Sequence, residues 1–497
     1  MRWHLLTDKI LKRLEYEGIS FRPGDYSDEG NSKVFVDTFG SVVKYCATTG
    51  WLYWDGKRWI EDEAAVEMLA KGLTDSMLAE AENAVYDAHA ELAEARMQKK
   101  GEKKTEEIKL AEKRVEDELE FRKKTLGSRS RRRIMDMLRL AQPVLTIKPE
   151  HLDANPFYLN TPGGIVDLRT GQVDHHDPIH YCTKMTRYTP NLQESSLWNE
   201  FLDAVCCGNL PLQIFLQQVA GMAAVGKVFS ENLIIAIGSG ANGKSTLFNV
   251  LAYALGDYAG TIAASALTTN VRSVGAELAN LKGKRLVIAA ELEDSARLST
   301  SMLKQLTSTD KIHAERKFRD PEDFTPSHTT ILYTNHLPRV GSTDEGTWRR
   351  LLTVPFNATF PTEKQIKNFA DTLARQAGGA IVQWILYGAY MFYKGGYKLD
   401  IPDAVAEAVK TYRADNDWIN HFIEDCCEVG SGFYVGSGDL YDSYKAWAER
   451  TGEFRRHAAA FNAELDRLGY ELHKPKNRKT WYGLRLTPRV FLGGYSA

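Results

Sequence analysis

The apolar positions of the chain change period several times, and each change predicts an element. Tyr45 to Ile60 (YCATTGWLYWDGKRWI) alternates aromatic and polar residues around Gly50 and the pair Asp55-Gly56, which predicts a β-hairpin or meander. Its rings read as sheet core rather than as a base-stacking platform, because such platforms need exposed rings beside basic residues. From Glu61 to about Leu140 the period becomes helical. Leu78 to Lys124 is rich in Ala, Glu and Lys, with Ile108, Ala111, Val115 and Leu119 on one face and Gly101 as an interruption. That pattern predicts a helical hairpin or short coiled coil over about 61–140. Arg129, Arg131, Arg132 and Arg133 read as a solvated helix start, with phosphate contact as the alternative.

Asn160 to Tyr188 carries turn signals at Pro162-Gly163-Gly164 and Thr170-Gly171 between short strands. Asp174, His175, His176, Asp177, His180 and Cys182 invite a metal reading. No ligand spacing recurs, however, and adjacent histidines in a strand face opposite ways, so no metal centre is expected there. Trp198 to Lys227 is apolar at helical spacing (Phe201, Leu202, Val205, Leu212, Phe215, Leu216, Val219), and 193–230 is read as a helical oligomerisation segment. Then come four short continuous apolar runs, Asn232–Ile237, Lys284–Ala290, Thr329–Thr334 and Leu351–Phe356, each suited to a parallel strand buried on both faces. Aromatic-rich helices (Trp384, Tyr387, Tyr390, Phe392) run to about Leu399, and Pro402 marks a linker.

Composition narrows the class. The 497 residues suggest about three domains, and 43% hydrophobic with 26% charged residues describes a globular chain rather than a disordered or fibrous one. Lys plus Arg total 63 against 65 Asp plus Glu, so affinity for nucleic acid must come from local patches. One such patch is the stretch from Thr451 onward, with nine basic against four acidic residues. The six cysteines include two adjacent pairs and no CxxC, far below the density of a disulfide scaffold, which points to a reducing cytosol. Met1 to Lys12 does not read as a signal peptide, and no run approaches the ~18 apolar residues of a bilayer span. A cytoplasmic protein without a membrane partner is expected.

Candidate chemistry begins where the first buried strand runs into Gly238-Ser-Gly-Ala-Asn-Gly243-Lys244-Ser245, a full GxxxxGK[ST] match. The glycines let backbone amides wrap a phosphate at a helix N-terminus, Lys244 neutralises phosphate oxygens and Ser245 holds Mg²⁺. Gly238, Gly240, Asn242, Gly243, Lys244, Ser245 and Thr246 form the expected ATP-binding set. The second strand ends in Glu291-Leu-Glu293, and period-two alternation would put both carboxylates on one face. One would bind Mg²⁺, for which Glu291 is chosen, and the other, Glu293, would activate water; the two roles are exchangeable. Asn335, at the end of the third strand, is a candidate γ-phosphate sensor. Arg349 and Arg350 precede the fourth strand; one is expected to serve a neighbouring subunit's phosphate and the other to form a structural ion pair.

This order of P-loop, Glu, Asn and Arg resembles the superfamily 3 helicases of the AAA+ class, and among them the phage, plasmid and poxvirus primase-helicase family. The LNTPGGIVDL segment at Leu159–Leu168, Lys304-Gln-Leu-Thr307, Phe324-Thr-Pro326, Thr334-Asn-His-Leu-Pro338 and Trp348-Arg-Arg350 carry the resemblance. It implies an α/β fold with a P-loop AAA+ core on a parallel sheet, preceded by an α+β domain and followed by a winged helix. It also implies hexameric rings that hydrolyse ATP between subunits and draw single-stranded DNA through the pore, typically 3′ to 5′. In the family a β-hairpin after the acidic strand touches DNA, which here implicates Lys311, His313, Arg316, Lys317 and Arg319. Ser308-Thr309 and Glu315 depart from the family pattern and leave open which hairpin residue grips DNA. Arg478 and Lys479, in a basic wing at Lys474–Leu486, are candidates for forked DNA, although small winged helices also dock proteins.

The expected domains are 1–192 (α+β), 193–230, 231–400 (ATPase) and 401–497 (winged helix). The expected function is an ATP-dependent DNA helicase for a phage, plasmid or other mobile element in a bacterial host. There is no paired-aspartate polymerase motif and no zinc-binding Cys cluster before Trp198, so priming would fall to a separate primase or polymerase. A DNA-binding initiator or assembly ATPase that does not unwind is the main alternative. A small-molecule P-loop kinase leaves the basic hairpin and the Trp348-Arg-Arg350 element unexplained.

Overall fold

Alternating aromatic and polar residues build the first sheet. The structure is a computed structural model describing residues 10–13, 16–97, 102–269, 275–294, 296–315, 322–340, 344–474 and 479–487. Helix α1 (Asp28–Phe39), capped by Ser27, leads into β1 (Val43–Cys46), β2 (Gly50–Trp54) and β3 (Trp59–Glu61), an antiparallel meander. Helices α2 (Glu63–Met97), α3 (Glu102–Ser128) and α4 (Arg131–Leu145) follow, and β4 (Thr146–Ile147) returns parallel to β1. Trp51 and Tyr53 pack with Phe35, Phe39, Leu69 and Leu138, while Trp54 and Trp59 pack with Cys46 and Leu52, so the rings are core. Helices α2 and α3 form the expected hairpin, closed by Ala88, Leu92, Ala111 and Val115; Leu119 turns outward. Arg129 pairs with Asp75 and Arg132 with Asp136 at exposed positions.

A second small sheet, β5 (Tyr158–Thr161), β6 (Gly164–Asp167) and β7 (Val173–Asp174), is antiparallel. Among the residues that invited a metal reading, His176 and Asp177 have local partners and Cys182 is deeply buried. His176 Nε2 lies 2.8 Å from Thr161 O, Asp177 caps a short turn, and burial pushes the Cys182 thiol up to about 12. Helices α5 (Ser196–Val205) and α6 (Leu210–Ala224) then pack into the main core of their own chain. Leu210 and Ile214 are the large apolar side chains of this segment left exposed among the described residues.

The apolar runs become β8 (Leu233–Ile237), β10 (Leu286–Ala290), β14 (Thr329–Thr334) and β16 (Leu351–Pro355), joined by β9 (Ala259–Ala263) in an all-parallel sheet ordered β16-β8-β14-β10-β9. Between them lie α7 (Lys244–Leu255), α8 (Gly275–Ala279), β11 (Arg297–Leu298), α9 (Thr300–Thr307), the hairpin β12 (Ile312–Ala314) and β13 (Glu322–Phe324), β15 (Arg339–Val340) and α10 (Glu345–Trp348). Alternate residues enter two separate cores. Ile234, Ala236, Ile288 and Ile331 face α6, α7 and α11 (Phe369–Lys394); Leu233, Ile235, Val287 and Leu332 face the other side. Burial on both faces explains the unbroken apolar runs. Helices α6 and α11 cross closely: a Cβ on Gly388 would sit 1.9 Å from Gln217 O.

Helix α12 (Asp403–Asp415) follows Pro402 but belongs to the body built on the parallel sheet, with Val405 and Tyr412 in its two cores. A separate core starts at Trp418, later than the expected boundary at 401. It comprises α13 (Trp418–Cys426), β17 (Cys427–Gly436), α14 (Ser437–Thr451), α15 (Ala458–Arg467), β18 (Glu471–His473) and β19 (Thr480–Leu486), with an antiparallel sheet ordered β17-β19-β18. Among the described residues no helix is long and apolar enough to cross a membrane.

Candidate active site

Strand β8 delivers the chain into loop 238–243, where Gly240 (φ 97°), Ala241 (φ 47°) and Gly243 (φ 80°) adopt left-handed backbone. Such alternation turns successive amides inward as an anion nest. A Cβ on Gly243 would also meet Val205 Cγ2 at 2.5 Å, so only glycine fits there. Asn242 is buried, donating to Phe356 O at 3.4 Å and accepting from Lys244 N at 3.4 Å. It braces the loop from behind. Helix α7 starts at Lys244 without a side-chain cap, leaving its first amides for an anion. Ser245 is exposed and Thr246 half-buried in that first turn.

Lys244 is buried, and its Nζ donates to Gly238 O at 3.1 Å and Asn335 Oδ1 at 2.6 Å. Both acceptors are neutral. Burial pulls the Lys244 pKa down, opposed by the charge of Glu291. Asn335, the first residue beyond β14, donates in turn to Glu291 Oε2 at 3.3 Å, so a polar chain Lys244–Asn335–Glu291 crosses the ends of three adjacent strands. Glu293 is exposed and outside this chain. The expectation that both glutamates share a face by strand alternation fails: β10 ends at Ala290, and Glu291 turns out with φ 58°. Thr334, which sequence reasoning missed, is fully buried, and its hydroxyl accepts from Leu292 N (3.3 Å) and His336 N (3.2 Å). It ties the Glu-bearing loop to the Asn-bearing loop. A hydroxyl residue ending an apolar strand was the available signal.

Arg349 and Arg350 lie at the opposite end of the sheet, where Arg350 O accepts from Leu233 N, the first amide of β8. Arg350 is buried and pairs with Glu231 Oε2 at 2.6 Å while donating to Gly346 O at 2.7 Å. Arg349 is exposed, with Glu231 at 3.5 Å. Arg350 is thus held by two short bonds, whereas Arg349 has a single longer contact with Glu231.

Lys311 is exposed at the base of the β12–β13 hairpin. The His313 ring is held by Asp323 at 2.8 Å, with Glu315 at 3.9 Å, so carboxylates flank it. Arg316, Lys317 and Arg319 lie outside the described residues, as does Arg478; Lys479 is exposed just before β19.

Residues 32–207 match the family described as D5 N terminal like, and residues 236–350 match a family of unknown function, DUF5906. A protein of Acanthamoeba polyphaga mimivirus named for a helicase (L207/L206) is 27% identical over 322 residues, 60% of this chain and 33% of that protein. A protein of African swine fever virus named for a primase (C962R) is 24% identical over 335 residues, 62% and 35% of the two chains. The chain thus spans about a third of the length of these curated relatives. The apo structure of the NrS-1 C-terminal region has a TM-score of 0.38 at 11% identity, over 59% of this chain and 76% of that one. By its matched regions and their relatives, the chain is similar to viral proteins named for helicases and primases, in keeping with its resemblance to superfamily 3 primase-helicases.

Proposed function

We propose that the chain is an ATP-dependent DNA helicase whose AAA+ core assembles into a ring, six-membered by the family resemblance, and moves along single-stranded DNA during replication of a phage, plasmid or other mobile element. The observation that carries this reading is the position of Arg349, exposed and at the far end of the sheet from its own P-loop. A cation there is remote from its own P-loop, so any nucleotide phosphate it serves would belong to another subunit.

The loop suits ATP and Mg²⁺: it combines a left-handed nest, a glycine position closed to any Cβ and a buried ammonium group with two neutral acceptors. Lys244 would bind phosphate oxygens, Ser245 and Glu291 would hold the metal, and Glu293 would take the proton of the attacking water. Bound there, MgATP supplies an electrophilic γ-phosphorus with its charge screened by the metal. Asn335, already bridging Lys244 and Glu291, is suited to orient water against the terminal phosphate. Arg349 of the adjacent subunit would meet the charge that develops on the phosphate oxygens.

Helix-strand-helix-helix-strand-strand order supports a winged helix from Trp418 on, with Lys479 beside the strand that carries the wing. Lys311 and the basic residues that follow it are proposed to contact single-stranded DNA through phosphates, which is independent of sequence and sensitive to salt. The test is ATP hydrolysis with and without single-stranded DNA, with Lys244→Ala as control, followed by displacement of a forked duplex. Stimulation lost in the variant supports a motor. Hydrolysis indifferent to DNA sinks the helicase reading in favour of a nucleotide-dependent assembly factor.

A further inference from the structure

A second cationic site lies away from the P-loop, where the ATPase body meets the C-terminal unit. There a pocket of about 310 Å³ is lined by Arg297, Arg339 and Arg456, with Glu453, Asp415 and Asn416 at its walls. Three guanidinium groups against two carboxylates leave the lining with a net positive charge. The local backbone makes the crowding unavoidable: β11 and β15 pair in parallel with Arg297 directly opposite Arg339. Like charges facing each other across a ladder destabilise it.

Internal partners relieve this only in part. Arg339 donates to Gly452 O at 3.0 Å and stands 3.9 Å from Glu453. Arg456 takes the other Glu453 oxygen at 3.4 Å and stacks 4.1 Å over Trp418. One carboxylate is thus shared by two arginines. Arg297 has the Phe454 ring at 4.0 Å, and among the described residues its guanidinium makes no hydrogen bond or ion pair. Burial and the nearby Arg456 charge push its pKa down, opposed by the charge of Glu453.

We propose that this pocket binds a phosphate group, held by Arg297 with Arg339 and Arg456, as a second anion site distinct from the nucleotide loop. Guanidinium forks match phosphate oxygens in pairs, and the pocket has room for a phosphate or pyrophosphate. The source is either a nucleic-acid backbone or a free phosphate compound; both share the chemistry. The site also abuts the catalytic loops. Pro338 and Arg339 follow closely on Asn335 in sequence, and Arg297 follows closely on Glu293. The inference does not depend on whether the chain unwinds DNA.

The test uses the full chain with its P-loop filled by ADP and Mg²⁺. Inorganic pyrophosphate is titrated by calorimetry, and a fluorescein-labelled oligo-dT strand by anisotropy. Saturable pyrophosphate binding is expected, weakened about tenfold or more in Arg297→Gln and partly recovered in Arg297→Lys. The second variant, Asn416→Asp, keeps the acceptor for Val340 N (2.7 Å), gives up the bond to Tyr412 O (2.9 Å) and adds a negative charge, and should weaken binding as well. If the phosphate belongs to a strand, oligo-dT affinity falls in parallel and pyrophosphate displaces the strand. If it belongs to a free compound, oligo-dT binding is the same in all variants. Absence of pyrophosphate binding to the ADP-loaded wild type, or equal binding by Asn416→Asp and whichever Arg297 variant folds, overturns the proposal.

Discussion

Arg349 and Arg350 are neighbours in sequence with opposite surroundings, and that contrast gives a quantitative prediction. The Arg349 side chain is 62% exposed with Glu231 at 3.5 Å; that of Arg350 is 11% exposed with the same carboxylate at 2.6 Å. Arg349→Ala should therefore cost less than about 0.5 kcal/mol of stability, the range of a loose surface pair. Arg350→Ala removes a charge-assisted bond and a bond to Gly346 O, and should cost about 2 kcal/mol, discounted for the part-exposed glutamate. If Arg349 acts on a neighbour, Arg349→Ala lowers ATPase kcat by on the order of 10³ while the unfolding curve stays put. The decisive assay mixes Arg349→Ala with Lys244→Ala, each inactive alone. In a ring with head-to-tail contacts, random mixing in equal amounts joins an intact P-loop to an intact arginine at about a quarter of the interfaces, so about a quarter of the wild-type rate should return. A mixture no more active than its components, at concentrations where the subunits exchange and assemble, would refute action in trans.

Three further outcomes follow from the same geometry. Asn335→Ala breaks the chain between Lys244 and Glu291 and should lower kcat about 10²-fold with a smaller change in KM; an effect confined to KM would mean that Asn335 only helps bind nucleotide. Gly243→Ala forces a left-handed alanine and a clash with Val205, so nucleotide affinity measured by fluorescent ADP should collapse and stability fall by about 1–3 kcal/mol; normal affinity would contradict the close fit. His328 is buried, its ring nitrogens are unpartnered among the described residues, and burial pulls its pKa down to about 4. The unfolded chain takes up that proton near pH 6.5 and the folded chain only near pH 4, so stability present above pH 6.5 drains by up to about 3 kcal/mol as the pH falls between the two. Denaturant midpoints for wild type and His328→Phe should diverge across that window; parallel curves would dismiss the group.

Much of this was legible because burial on both faces writes itself as unbroken apolar runs. Ile234 and Ile235 serve different cores, so neither position could be polar, and four of the five strands of the parallel sheet could be read from such runs. Strand β9 escaped, since its pattern AGTIA sits at a sheet edge with one fully buried position. The P-loop was legible because its glycines answer a backbone requirement that few other residues meet. The disposition of Glu291 and Glu293 was not. Alternation applies only inside a strand, and nothing local announces that Glu291 turns left-handed. The partner of Arg350 was hidden for another reason: Glu231 is 119 residues away, and only the finished sheet brings them together. Likewise the reach of α12 into the cores on both faces of the parallel sheet could not be read from a proline that merely begins a helix.

The strand order has a consequence for how the chain is made. Strand β8 is flanked by β14 and β16, and its second neighbour, Leu351 against Leu233, is encoded 118 residues later. At ribosomal speeds of ~5–20 residues per second, the sequence LIIAI waits roughly 6 to 24 s with at least one unpaired edge. The N-terminal meander and its helices, by contrast, close over mostly shorter separations and are complete before β8 emerges. The nascent protein thus carries a finished domain attached to a sticky, half-built one, the form most open to edge-to-edge association between neighbouring nascent chains. Expression at lower temperature or with a holding chaperone should therefore raise the soluble yield of the whole chain.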